Sequence, residues 1–158
     1  MLLLGVSVNT IKMLARGIAS GFVATCVLSV LILTKQWLPQ LDTITVMDGV
    51  AHELALAAGL PAPFAGWMWH FIVGCLVWGW MYAVMKPIVP GRRPMIKGLY
   101  FGFVITLLVW VAVLPLAGAG MLGMRLSAVQ PFVSMAECLL YGLVLAVTYD
   151  WLSHLRGQ

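Results

Sequence analysis

The chain has 158 residues, of which 63% are hydrophobic and only 9% are charged, and its mean hydropathy is +1.04. A soluble domain of this size leaves much of its surface exposed to water and needs more polar side chains than this. The formal net charge of +4 does not indicate a nucleic-acid partner, because the basic residues flank apolar segments and form no dense patch. The composition excludes a soluble domain and predicts an integral membrane protein.

Hydropathy predicts a single transmembrane domain over residues 1–158, an all-α bundle of four membrane-spanning helices. The spans are predicted at about residues 13–35, 64–85, 97–116 and 128–150. Within the first of them, Gly17 to Thr34 carries no charge, and this stretch forms a helix of about 27 Å, close to the hydrocarbon thickness. Four spans place both termini on the same side of the membrane.

The basic residues are distributed unevenly between the two sides. Seven of the nine lie on the side of the termini and only Lys35 and Arg125 lie on the other side. The positive-inside rule therefore predicts a multi-pass protein with both termini in the cytoplasm. The residues that anchor this topology are Lys12, Arg16, Arg92, Arg93 and Lys97.

Between the first two spans, a short amphipathic helix is predicted on the outer surface, with Asp42 as its N-cap. Its apolar residues recur at spacings of three and four: Ile44, Met47, Val50, Ala51 and Leu54.

Residues 16–25 and 97–106 share the pattern basic-G-aliphatic-x-x-G-F-V-x-T without a gap. The matched charge, glycines and threonine predict a duplicated helical hairpin, so that the bundle consists of two tandem copies. Each copy carries a G-x-x-x-G motif followed by a threonine, a stripe of small residues that lets another backbone come close in lipid. Packing within the bundle is the preferred role of the stripes, with a dimerisation seam as the alternative. The stripe residues are Gly17, Gly21, Thr25, Gly98, Gly102 and Thr106.

Extending this alignment to the second helix of each hairpin pairs Gly74 with Gly142, and therefore Trp69 with Glu137. It predicts that His70 and Glu137 lie at a similar depth, and both should face the bundle interior because ionisable groups are costly in hydrocarbon. His70, Glu137 and Cys138 are thus predicted to form an intramembrane polar site for protons, a quinone or a metal. The alternative is a structural pair that fixes helix register, or a protonated Glu137.

The leading interpretation is that the chain binds no cofactor. Haem and copper are the alternatives. Copper(I) would need thiol, thioether and imidazole ligands. A bis-histidine haem site would need a second copy of the chain, because the spans supply only His70. No enzymatic activity is predicted, because the chain has no G-x-S-x-G elbow, P-loop, Rossmann fingerprint or H-E-x-x-H helix. The candidate copper ligands are His70, Cys138, Met68 and Met135.

Four motifs are distributed along the chain: R-G-x-x-x-G-F-V-A-T at 16–25, K-x-x-x-P-x-L-D at 35–42, W-x-x-H-F-x-x-G at 67–74 and P-L-A-G-A-G at 115–120. With these motifs the chain resembles small four-helix bacterial inner-membrane proteins that are grouped as a domain of unknown function. The resemblance implies an inner-membrane location and no particular activity. In that family the position of Cys138 is often a histidine, so a two-histidine site does not carry over to this chain.

Three functions are therefore considered. The leading prediction is a non-catalytic accessory or structural subunit that packs against a larger inner-membrane complex, for example a respiratory or electron-transfer complex, because the chain has little mass outside the membrane. The first alternative is a small oligomeric transporter or channel. The second is a haem-, quinone- or copper-binding membrane protein that uses His70. The expected partners are membrane lipids and either other integral membrane subunits or a second copy of this chain, with no nucleic acid.

Overall fold

The computed structural model describes residues 8–35, 59, 61–116 and 118–155 of the chain. Within these residues there are helices and turns but no strand. Four helices are long and apolar enough to cross a membrane: Val8–Thr34, Phe64–Met85, Pro94–Leu116 and Gln130–His154. The predicted all-α fold with four membrane-spanning helices is confirmed. The predicted surface helix that begins at Asp42 lies outside the described residues.

Helix α1 (Val8–Lys35) begins before the predicted residue 13 and is a regular α-helix throughout. Its buried hydroxyl groups are satisfied inside the helix. The side chains of Ser20, Thr25 and Ser29 each donate to the carbonyl oxygen four residues earlier, at 2.6, 2.7 and 2.8 Å. Because lipid offers no hydrogen-bond partners, these bonds allow polar side chains within the apolar span.

Helices α2 and α3 each contain a π-helical stretch. In α2, the α-helix Ala62–Phe71 is followed by the first π segment (Ile72–Trp78) and then by the α-helix Gly79–Met85. In α3, the α-helix Pro94–Leu108 is followed by the second π segment (Val109–Val113) and then by the α-helical residues Leu114–Leu116. A π segment amounts to a local widening of the helix, and such segments occur frequently at functional sites.

Helix α4 (Gln130–His154) follows a turn with a short 3-10 helix at Met121–Gly123. Three glycines in this turn, at positions 118, 120 and 123, have positive φ angles of 76°, 75° and 77°. Glycine adopts this left-handed backbone conformation without a steric cost, so the turn can reverse the chain within a few residues. The helix then begins with Pro131 in its first turn, where a missing N–H is tolerated.

The four helices do not pack equally against one another. Helix α1 packs against α2 and α4, and α4 also packs against α3. Among the described residues, α2 and α3 share no extended helix contact. They meet near the short turn that joins them, where the Tyr82 and Phe101 rings lie 5.1 Å apart, edge to face. Away from this turn, the described residues of α2 and α3 are farther apart than those of the other neighbouring helices, and we call this separation the α2–α3 gap.

Basic side chains gather at the end of the bundle that holds this α2–α3 turn, which we call the basic end. The Lys97 ammonium donates to the Lys86 carbonyl oxygen at 2.6 Å. The Lys86 ammonium lies 3.6 Å from Asp150 Oδ1 and 4.5 Å from the centre of the Tyr149 ring. These contacts join the ends of α2, α3 and α4.

Large apolar side chains cover the outer faces of the helices. This is the surface that a bilayer requires of a spanning bundle, whose backbone polar groups are satisfied within each helix. Representative exposed residues from the four helices are Phe22, Val30, Leu76, Trp80, Phe103, Val111, Phe132 and Trp151.

Candidate ligand-binding cavity

Glycines bring the helices of each hairpin into backbone contact near the basic end. A Cβ atom placed on Gly17 would lie 2.5 Å from the carbonyl oxygen of Gly79, and one on Gly98 would lie 2.5 Å from that of Gly142. Neither position can hold a larger residue without separating the helices. The stripe residues thus lie at contacts between α1 and α2 and between α3 and α4.

One turn further from the basic end, the two hairpins differ in register. Gly21 lies against Gly74 and Cys75, whereas Gly102 lies against Cys138 and Leu139. The contacts therefore pair Gly79 with Gly142, and the predicted alignment of Gly74 with Gly142 is wrong. The physical reason is the first π segment, which places five residue steps between Gly74 and Gly79 where α4 uses four between Cys138 and Gly142.

Above these contacts, all four helices surround a cavity of about 210 Å³. Both π segments contribute to its wall, the first with Val73, Gly74 and Trp78, and the second with Val109 and Val113. The widened helices thus lie where the cavity opens. The remaining lining residues are Thr25, Leu28, Ile32, Trp69, His70, Ile105, Leu114, Gln130, Ser134, Glu137, Cys138 and Tyr141.

The cavity brings together the three residues of the predicted polar site, His70, Glu137 and Cys138. The candidate copper ligands do not all reach it, because neither Met68 nor Met135 lines the cavity and Met68 is exposed on the outer face of α2. Among the described residues, no group of three or more histidine, cysteine, aspartate or glutamate side chains is placed to hold a metal ion.

Several polar groups of the cavity wall bond to one another or to the backbone. The Tyr141 hydroxyl of α4 donates to the Gly74 carbonyl oxygen of α2 at 2.5 Å. The Ser134 hydroxyl lies 2.9 Å from the Gln130 carbonyl oxygen, to which it donates, and accepts a bond of 2.9 Å from Trp110 Nε1. These groups shape the wall and have little capacity left for a ligand.

The imidazole of His70 is different. Its Nε2 atom is enclosed and has no hydrogen-bond partner in the described part of the chain. The ring makes a backbone hydrogen bond with Thr25 of α1, and its edges contact Trp67 and Phe71, with ring centres 5.8 Å apart in both cases. The ring is thus held from three sides while one nitrogen remains unused.

A family model matches residues 11–157 of the chain. The chain belongs to DUF6789, a family of unknown function. This membership confirms the resemblance to a family of unknown function that the sequence motifs indicated. No curated protein and no solved structure matches the chain.

In this DUF6789 protein, the basic residues that were predicted to anchor the topology lie near the basic end. Lys12, Arg92 and Arg93 are exposed there, whereas Arg16 and Lys97 are half-buried. Arg16 belongs to α1 near the Gly17 contact, and its Nε atom is buried without a partner among the described residues. The basic residues are therefore separated from the cavity by the glycine contacts.

The sequence did not identify Gln130, Ser134 or Tyr141 of the DUF6789 protein as members of the site. A polar residue every three or four positions along one helix, from Gln130 through Ser134 and Glu137 to Tyr141, was the available signal. It indicates a polar stripe on α4 that must face the interior of the bundle.

Proposed function

We propose that this protein binds a small lipid-soluble molecule in the cavity between its four helices. The observation that carries the proposal is the cavity itself, an apolar space with a few convergent polar groups in the interior of a membrane-spanning bundle. Concave sites with this mixture of apolar wall and few polar groups are typical of small-molecule binding. Bundle cores are also a common location for such sites.

The size of the cavity limits the ligand. An engineered apolar cavity of about 150 Å³ in another protein holds benzene. A volume of about 210 Å³ therefore suits one six-membered ring with a few substituents. The four-ring macrocycle of haem does not fit this volume, so the geometry favours a smaller ligand over the haem alternative.

The arrangement of the helices supports entry from the lipid phase. Helices α2 and α3 share no extended contact in the described chain, and both contribute to the cavity wall. Trp69 lines the cavity and is 40% exposed, as expected for a side chain at the mouth of a cavity that opens toward lipid. A molecule dissolved in the bilayer can reach the cavity through this gap without crossing water.

Filling the cavity tests the proposal. Val109 lines the cavity, whereas Val111 of the same π segment does not and is 63% exposed. The protein in lipid nanodiscs should bind 3,5-dimethylanisole saturably, measured by fluorescence of the cavity tryptophans against empty nanodiscs. Val109→Phe should weaken binding by at least about tenfold, since the new ring occupies the space of the ligand.

Val111→Phe is the matched control and should bind like the unmodified protein, because its side chain points to lipid. Non-saturable uptake by the unmodified protein, or equal binding by the two phenylalanine variants, would contradict the proposed function.

The accessory-subunit function stays a prediction. The stripes that could have received a partner helix are covered by α2 and α4 at the contacts of Gly17, Gly21, Gly98 and Gly102. The stripes therefore do not support a docking partner. The other arguments for an accessory subunit are unaffected. Larger subunits that co-purify in stoichiometric amount from the native membrane would establish it, and purification of the chain alone would argue against it.

We also propose that the two hairpins arose by duplication and that the basic end faces the cytoplasm. The duplication is supported by the glycine contacts, since Gly17 meets Gly79 as Gly98 meets Gly142. The orientation is supported by the charge distribution, because exposed Lys12, Arg92 and Arg93 lie at the basic end. An inner-membrane location is part of the same proposal and is supported by the resemblance to small four-helix inner-membrane proteins.

A further inference from the structure

Resting on the proposed function, we propose that the ligand is a lipid-soluble one-ring phenol or hydroquinone whose hydroxyl group donates a hydrogen bond to His70. The cavity volume allows one ring, and Trp69 and Trp78 provide aromatic wall against which a flat ring can pack. The specificity for a hydroxyl group comes from the unused nitrogen of His70.

Unused buried polar atoms are rare among the residues that the structure describes. Within its described part, three buried side-chain nitrogen or oxygen atoms lack a partner: Arg16 Nε, His70 Nε2 and Tyr82 Oη. Of these three residues, only His70 lines the cavity. A buried polar atom without a partner costs free energy, which a ligand with the complementary group recovers on binding.

The hydrogen bond to Thr25 determines what that complementary group must be. The Thr25 N–H has one hydrogen and donates it within α1, so the imidazole bonds to the Thr25 carbonyl oxygen, which also accepts from the Ser29 hydroxyl. Because Nε2 has no partner, the nitrogen that donates to this carbonyl is Nδ1. A neutral imidazole that carries its proton on Nδ1 presents a lone pair at Nε2. Nε2 therefore accepts a hydrogen bond, and a ligand must supply the donor.

Two other acceptors of the cavity wall are already in use. The Gly74 carbonyl oxygen already accepts from Tyr141 and from the Gly79 N–H, and the Ser134 hydroxyl already donates and accepts. A quinone, which has only acceptor oxygens, would leave Nε2 unpaired. A phenol or a hydroquinone of the same size pairs it.

Two probes of nearly equal shape test the inference, 3,5-dimethylphenol and its methyl ether 3,5-dimethylanisole, which has no donor. The protein in nanodiscs should bind the phenol about tenfold more tightly than the ether, the effect of about one buried hydrogen bond. His70→Phe should abolish this preference, because the phenylalanine ring offers no acceptor to the hydroxyl group. His70→Gln keeps an acceptor oxygen within reach of the Nε2 position and should retain most of the preference. His70→Leu is a second acceptor-free variant should the phenylalanine variant fail to fold.

A prenylated hydroquinone distinguishes the two sources of this chemistry. If the prenylated hydroquinone binds at least as tightly as the phenol, the ligand is a membrane quinol whose tail leaves through the α2–α3 gap. If the prenylated probe is excluded, the ligand is a free phenol. Both results support the hydroxyl–His70 bond. Equal binding of phenol and ether overturns the inference, and so does a preference for the phenol that survives both His70→Phe and His70→Leu. In either case, saturable binding of the ether leaves the proposed cavity function intact. Failure of all probes to bind overturns both.

Discussion

At the scale of single residues, Gly74 connects three helices. A Cβ atom at this position would overlap the Thr25 hydroxyl of α1, and the Gly74 carbonyl oxygen accepts from Tyr141 of α4 at 2.5 Å. The same oxygen accepts from the Gly79 N–H, five residues later in α2. The absence of a side chain thus allows α2 to approach α1, while the backbone oxygen fixes α2 against α4.

Gly74→Ala should therefore destabilise the bundle by about 2 kcal/mol, the usual cost of forcing an extra carbon into a packed contact. Thr25→Ala in the same chain removes the hydroxyl that the new methyl group meets, so it should restore part of the loss. Unfolding in mixed micelles with increasing dodecyl sulfate measures the free energy of unfolding of the two single variants and the double variant. Simple additivity of the two single effects would show that the predicted overlap is not what destabilises Gly74→Ala.

At the scale of helices, the first π segment explains why two similar hairpins have different registers. On α1 and α3 the contacting glycines are four residues apart, at 17 and 21 and at 98 and 102. The residues of α4 that contact the α3 glycines, Cys138 and Gly142, are also four apart. The residues of α2 that contact the α1 glycines, Gly74 and Gly79, are five apart. The extra residue is accommodated by the wider π turn and is marked by the bond from the Gly79 N–H to the Gly74 oxygen.

Removing that extra residue should be tolerated. Deletion of Val77, an exposed residue of the first π segment, leaves Gly74 and Gly79 four positions apart, as in α4. Helix α2 can then become α-helical and keep both contacts with α1. Deletion of Leu140, between Cys138 and Gly142, leaves these two residues three positions apart in α4. One of them then turns away from α3 and loses its contact with that helix.

Thermal unfolding followed by circular dichroism should show a folded Val77 deletion with a modest loss of stability and a much less stable Leu140 deletion. Equal damage by the two deletions would mean that the π turn is required for the fold itself.

The sequence predicted the helices better than their internal geometry. Long uncharged runs such as Gly17 to Thr34 are sufficient to predict a span, and the costly His70, Glu137 and Cys138 were predicted to share an interior site, whose wall they do form. The π segments could not be predicted, because Ile72–Trp78 is an ordinary apolar sequence that fits an α-helix equally well. Its register depends on tertiary contacts such as the Tyr141 bond, which appear only when the helices are packed.

At the scale of the whole molecule, the two ends of the bundle differ in character. The basic end is closed by the Tyr82 and Phe101 rings and by the Lys86–Asp150 pair, and the cavity lies beyond the glycine contacts toward the other end. A ligand that enters between α2 and α3 therefore binds away from the basic side. The orientation of the chain decides which leaflet supplies it.

Labelling from one side of the membrane determines that orientation. Ile88 in the α2–α3 turn is 76% exposed and Met121 in the α3–α4 turn is 56% exposed, so each can carry a single cysteine without loss of a basic residue. The background replaces Cys26, Cys75 and Cys138 by alanine. In intact cells, a membrane-impermeant maleimide should label Met121→Cys at once and Ile88→Cys only after permeabilisation, because the translocation of basic turns is disfavoured.

The reverse pattern would place the basic end outside and move the cavity toward the cytoplasmic leaflet. Partial labelling of both sites in intact cells would show chains inserted in both directions, so that ligand could enter from either leaflet. Labelling of Met121→Cys alone favours the outer leaflet as the source, since the cavity-lining residues then belong to the outer halves of the four helices.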